Sequence, residues 1–156
     1  MPATICAYRG PEDDDAIVAI FRAASAIAHP FLADTFVDEA CNLTRTLFLP
    51  NSETWLAIND ADGSIMGFVA IIADGSNEVG GIFVDPKVQR GGIGHALMEC
   101  ASRNRDFVEL DVFEKNAIGR TFYAKYGFEE IERRFDDPSG QWVLRMRKTS
   151  PAKGGA

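Results

Sequence analysis

The chain has 156 residues, 25% charged and 46% hydrophobic, with a formal net charge of −7 at pH 7. That length suits one domain able to bury a core without staples, and the acidic balance argues against a nucleic-acid surface while suiting a cationic acceptor such as an amine. Cys6, Cys41 and Cys100 are odd in number, widely spaced and without a Cys-x-x-Cys pair, which excludes a disulfide framework or zinc site and favours the cytoplasm, and no apolar run suits a signal segment or a bilayer span.

In chain order, residues 4–8 read as a short strand. Gly10-Pro11-Glu12-Asp13 then opens a helix with acids in its first turn, where the helix dipole favours them, and Ile17, Ile20, Phe21 and Ala24 form its buried stripe. A second helix is expected over 34–48, with Phe36, Ala40, Leu43 and Leu47 on one face, and Ala28-His29-Pro30-Phe31 lies between the two. Residues 54–59 and 65–72 read as strands joined by the hairpin signal Asp60-Ala61-Asp62-Gly63, and another strand runs over 78–84.

A helix over 94–103 leads to a strand over 108–113, a crossover that implies parallel neighbours. A helix over 116–126 ends at Gly127, which suits a C′ position, and strands follow near 129–134 and 141–147. The expectation is an α/β fold: a mixed, twisted sheet of about six to seven strands with helices on both faces. Residues 1–148 form the single domain and 149–156 a disordered tail.

Chemistry concentrates in Val84-Asp85-Pro86-Lys87-Val88-Gln89-Arg90-Gly91-Gly92-Ile93-Gly94-His95, where an apolar strand ends in a glycine-rich turn that opens into a helix. Glycine permits φ > 0 and a close approach of backbone to ligand, and the first helical turn leaves outward amides that attract an anion. A P-loop would need Lys-Ser or Lys-Thr after the last glycine, where His95-Ala96 stands. A dinucleotide fingerprint would need Gly or Ala where Leu97 stands. The pattern Gln/Arg-x-x-Gly-x-Gly/Ala is met by Gln89, Gly92 and Gly94.

Together with Asn116 and Phe122-Tyr123-Ala124-Lys125-Tyr126-Gly127-Phe128, this loop resembles the GNAT superfamily of acyl-CoA-dependent N-acyltransferases, over about residues 4–147. Within that superfamily, Ala28-His29-Pro30-Phe31-Leu32, Trp55 and the compact length are similar to small bacterial acetyltransferases that act on protein lysines or peptide-like amines. The resemblance implies acetyl-CoA as acyl-donor cosubstrate and no metal. It also implies that the strand ending at Val84 splays from the strand ending near Phe113, so that the pantetheine arm enters the gap. Cofactor contacts then fall to Ile82, Phe83, Val84, Gln89, Arg90, Gly91, Gly92, Ile93, Gly94, His95, Asn116 and Tyr123.

Attack of an amine on a thioester needs a route for the amine proton, a donor for the oxyanion and an acid for the departing thiolate. By position Tyr123 resembles the family's general acid, and its hydroxyl is protonated at neutral pH; Tyr126 packs or borders the pocket. Glu78 is the first candidate base, since steps of two back from Val84 place Ile82, Gly80 and Glu78 on one side of the strand. The acid common in related enzymes falls nearer Gly80, which has no side chain. His29 is the second candidate base, an imidazole beside the expected acceptor site. Glu109 and Asp111 share a strand face and could bind a cationic acceptor, in a pocket made by residues 28–48 and the C-terminal hairpin near Trp142. The expected partner is an amine-bearing acceptor (protein lysine, peptide or small amine), with no nucleic acid and no membrane, for a monomer or homodimer. Two alternatives stand beside protein acetylation: an acetyltransferase for a small amine such as a polyamine, amino acid or antibiotic, and a non-catalytic acyl-CoA sensor.

Overall fold

The computed structural model describes residues 3–88 and 91–150. Seven strands divide into two antiparallel sheets. The first holds β1 (Ala3–Ala7), β2 (Ser52–Asn59), β3 (Ile65–Ile72) and β4 (Val79–Val84) in that order. The second has β7 (Gln141–Thr149) at its centre, between β5 (Phe107–Phe113) and β6 (Glu129–Asp136). The described residues also form four α-helices, of which α3 links the two sheets: α1 (Asp14–Ala28), α2 (Asp34–Leu43), α3 (Ile93–Ser102) and α4 (Ala117–Tyr126).

β3 is almost wholly apolar, Ile65-Met66-Gly67-Phe68-Val69-Ala70-Ile71-Ile72, because both of its faces are covered. Val69 and Ile71 pack with Ile93, Leu97 and Met98 of α3, and Phe122 and Tyr123 of α4 close onto the same cluster. Phe68 and Leu56, on the opposite face, pack with Ile17 and Ile20 of α1. The same α3 cluster includes Val108, Leu110 and Val112 of β5 and Leu144 and Met146 of β7, so one core spans both sheets. Asp13 anchors the start of α1: it is 2% exposed and accepts the Arg9 backbone N–H at 2.8 Å and the Arg9 guanidinium at 2.8 Å.

Three expectations change. The stretch 34–48 is not one regular helix, since α2 passes into a π-helical turn, Thr44–Phe48, that rotates its side chains; Leu47 is exposed, whereas Cys41 and Thr44 are buried. β7 continues to Thr149, which pairs with Phe107, and the Ser150 N–H donates to the Asp106 carbonyl at 2.8 Å; the expected tail beyond them lies outside the described residues. The mixed sheet is two antiparallel sheets joined by one parallel bridge, Glu78 to Glu109. No helix among the described residues is long and apolar enough to cross a membrane.

Candidate active site

Beyond the Glu78–Glu109 bridge, β4 and β5 share no ladder among the described residues and diverge. The divergence opens a cleft of about 840 Å³. Ile82, Phe83 and Val84 of β4 form one side, Leu110 to Phe113 of β5 the other, and the N-terminus of α3 and the first turns of α4 the top. α1, α2 and the π-helical turn that follows supply an apolar wall, with Phe21, Phe36, Val37 and Phe48. Periodicity identified Phe21 and Phe36 as helical apolar positions and passed over Val37 and Phe48; it carried no signal that any of them faces a cavity.

At the top of the cleft, Gly92 is the N-cap of α3 and sits in the left-handed region, φ 75°. An L side chain there costs about 1–2 kcal/mol. The first intrahelical bond runs from the Ala96 N–H to the Gly92 carbonyl at 3.0 Å, so the amides of Ile93, Gly94 and His95 have no partner inside the helix. A Cβ on Gly94 would approach the Phe122 ring to 3.2 Å, so this glycine sets how closely α3 lies against α4. Gly92, Ile93, Gly94 and His95 all line the cleft, and Gly91 stands beside them. Gln89 and Arg90 lie outside the described residues.

α4 brings Tyr123 to the cleft. Its ring packs edge-on against Phe122 and Phe128, each at 5.5 Å, and burial pushes the hydroxyl well above the usual tyrosine range. It is therefore protonated throughout the neutral range, as a proton donor must be. Tyr126 points elsewhere: its hydroxyl donates to Glu99 Oε1 at 2.6 Å and its ring lies 5.1 Å from that of His95.

A bulge decides where Glu78 goes. Ala70 pairs with Gly81 and Ile71 with Val79, so Gly80 is an extra residue in β4 with no counterpart on β3. The inserted residue reverses the alternation, and Val79 packs in the same cluster as Ile82 and Val84. Glu78 consequently does not share their face, contrary to the count in steps of two. It lines the cleft and comes to Asp111 through a shared arginine.

There Glu78 meets Arg145, 3.2 Å away, which also reaches Glu109 at 3.0 Å and Asp111 at 3.3 Å. Arg147 pairs with Glu109 and Arg134 with Asp111 at 2.8 Å. The expectation that Glu109 and Asp111 hold a cationic acceptor gives way to internal pairing with three arginines. Sequence reasoning passed over Arg145 and Arg147, although Asp111 and Arg145, and Glu109 and Arg147, are direct cross-strand partners. Trp142 is displaced too: it is exposed, stacks beneath the Arg133 guanidinium at 3.8 Å and touches Phe135, while Arg134, Asp136 and Val143 line the cleft from that hairpin.

His29 caps the C-terminus of α1 and lines the cleft. Its Nε2 lies 3.1 Å from Asn116 Nδ2, and burial lowers its pKa to about 4. Asn116, 7% exposed, caps α4 by accepting the Gly119 N–H at 2.8 Å.

A helix N-terminus with free amides, a cleft between diverging strands and a half-buried tyrosine lining it come together at one end of the two sheets. Residues 50–130 match the family described as Acetyltransferase (GNAT) domain. The peptidyl-lysine N-acetyltransferase YiaC of Escherichia coli is 30% identical over 83% of this chain and 87% of its own length. The solution structure of apo YjaB from Escherichia coli superposes with a TM-score of 0.81 at 29% identity, covering 94% of this chain and 97% of that one. A streptothricin acetyltransferase from Bacillus anthracis, solved with acetyl coenzyme A, shares the fold at a TM-score of 0.58 and 22% identity over 65% of this chain and 64% of its own. The chain belongs to the GNAT acetyltransferase family. It is an N-acetyltransferase.

Proposed function

We propose that the enzyme transfers an acetyl group from acetyl-CoA to the amine of a protein lysine or peptide-like acceptor by direct attack, with Tyr123 as general acid. The observation that carries this reading is that the half-buried Tyr123, its hydroxyl kept protonated by desolvation, lines the same cleft as the free amides of α3. Bound acetyl-CoA supplies a thioester, an acyl group already activated toward amines. The residues present fit it. The amides of Ile93, Gly94 and His95 would receive an anion at a helix N-terminus, and the gap between β4 and β5 would accept an extended arm.

In the transfer, the acceptor nitrogen forms the new C–N bond as the C–S bond breaks, and Tyr123 Oη delivers its proton to the departing sulfur. The ammonium proton leaves through Glu78, whose carboxylate lies on the cleft wall, or through water. Arg145 orients that carboxylate. The lysine acceptor class rests on the names of the relatives YiaC and YjaB.

The test is acetyl-CoA consumption across lysine peptides, N-terminal peptides and small amines. Turnover with lysine peptides is expected. Turnover with small amines alone would replace the acceptor class, and tight acetyl-CoA binding without turnover on any amine would replace enzyme by sensor.

A further inference from the structure

One hydrogen bond ties α1 on the acceptor wall to the helix that carries Tyr123. His29 and Asn116 are 87 residues apart in sequence, with His29 Nε2 and Asn116 Nδ2 separated by 3.1 Å. The orientation of the Asn116 amide is dictated by Oδ1, which accepts the Gly119 N–H at 2.8 Å. Nδ2 therefore faces the imidazole, and because an amide NH₂ only donates, the contact assigns the lone pair to Nε2 and the proton to Nδ1, a nitrogen that is buried with no hydrogen-bond partner among the described residues. The ring is steadied edge-on by Phe113 at 5.0 Å and Phe31 at 5.9 Å. With its one lone pair engaged and its pKa lowered to about 4 by burial, the imidazole is poorly suited to take a proton from an amine near pH 7.

Gly119 closes the arrangement from the other side. A Cβ there would come within 2.5 Å of Asn116 Nδ2, so the helix accepts a glycine in its first turn and the amide keeps its place.

We propose that His29 is a positioning residue: its Nε2 lone pair holds the Asn116 amide in the orientation that caps α4, and so sets where Tyr123 meets the thioester, without itself exchanging a proton. This rests on the reading of Tyr123 as the acid.

The chain has two histidines, His29 and His95, so both rings can be assigned by ¹H–¹⁵N long-range NMR. The His29 signal should show the Nδ1–H tautomer and stay neutral from pH 8 to 5; an Nε2–H tautomer, or titration near pH 6–7, would overturn the proposal. In kinetics, His29→Ala should lower kcat by about 10- to 100-fold through misplacement of the acid. His29→Gln, whose side-chain oxygen can accept from Asn116, should recover most of that loss. Equal losses in the two folded variants would return His29 to proton transfer and overturn the proposal. Gly119→Ala, which displaces the amide from its other side, should reproduce the His29→Ala loss, and a wild-type rate in that variant would count against the chain of contacts. In a Tyr123→Phe background, His29→Ala should have little further effect on kcat; a full additional loss would overturn action through Tyr123. If Tyr123→Phe alone turns over at the wild-type rate, the acid assignment fails instead, and the tautomer and glutamine rescue report on His29 separately.

Discussion

Glu78 and Glu109 lie side by side at the one parallel rung that joins the two sheets among the described residues, and Arg145 binds both. Two like charges at a sheet junction repel, and the guanidinium between them turns that repulsion into a clamp. The point at which the strands begin to part is thus held by charge, with a single bridge of backbone.

Removing the clamp should show in stability and in its pH dependence. Burial alone would raise the Glu109 carboxyl, but its hydrogen bonds to Arg147 and Arg145 outweigh that and hold it below the usual carboxylate range. A depressed folded-state pKa contributes stability that is present above the unfolded value, near 4.3, and is lost as pH falls through the folded value. Arg145→Met should therefore cost about 2–3 kcal/mol at pH 7, less than for a fully buried pair because each group keeps some water. The deficit should shrink below about pH 4, as Glu78, left without its guanidinium, and then Glu109, still paired with Arg147, protonate. Urea denaturation of both proteins at pH 7 and pH 4 measures it; an equal deficit at the two values would show that packing, and not charge, is lost.

Tyr123→Phe removes a hydroxyl and leaves the ring packed between Phe122 and Phe128. Folding and acetyl-CoA affinity should persist while kcat and kcat/KM fall together, by roughly 10²- to 10⁴-fold. Steady-state kinetics on the best acceptor checks this, and a rise in KM alone would move Tyr123 from chemistry to binding.

Acetyl-CoA should raise the melting temperature, as any ligand of the native state does, and ATP and NAD should raise it less. Gly92→Val should blunt that shift, because a β-branched residue is strained at the left-handed N-cap of α3 and turns the Ile93 to His95 amides aside. A folded Gly92→Val protein with unchanged acetyl-CoA affinity, by calorimetry, would remove the loop from the site.

Glu78→Gln keeps a hydrogen-bond acceptor for Arg145 while abolishing the carboxylate. If Glu78 takes the amine proton, the acidic limb of kcat/KM should disappear or move, with a rate loss of about 10²-fold or more. A wild-type profile in this variant would give the proton to water or to an ionisation before binding.

Much of this enzyme is legible locally. Ile17, Ile20 and Ala24 at helical spacing, the strand reading of 65–72 and the Gly92-x-Gly94 turn before α3 each depend on a few neighbouring residues, because period, capping and positive φ are properties of short segments. The family followed from two such segments. Wherever two distant segments must meet, the tertiary structure decided. Gly80 became a bulge only when β4 paired with β3, and that one extra residue moved Glu78 off the face of Ile82 and Val84. Glu109 and Asp111 lost their free charge only when β7 lay beside β5 in the register that opposes them to Arg147 and Arg145. His29 met Asn116 across 87 residues, a contact that neither segment announces by itself. Side-chain type sets what a residue can do, whereas the partner that engages its lone pair or its charge is supplied by packing.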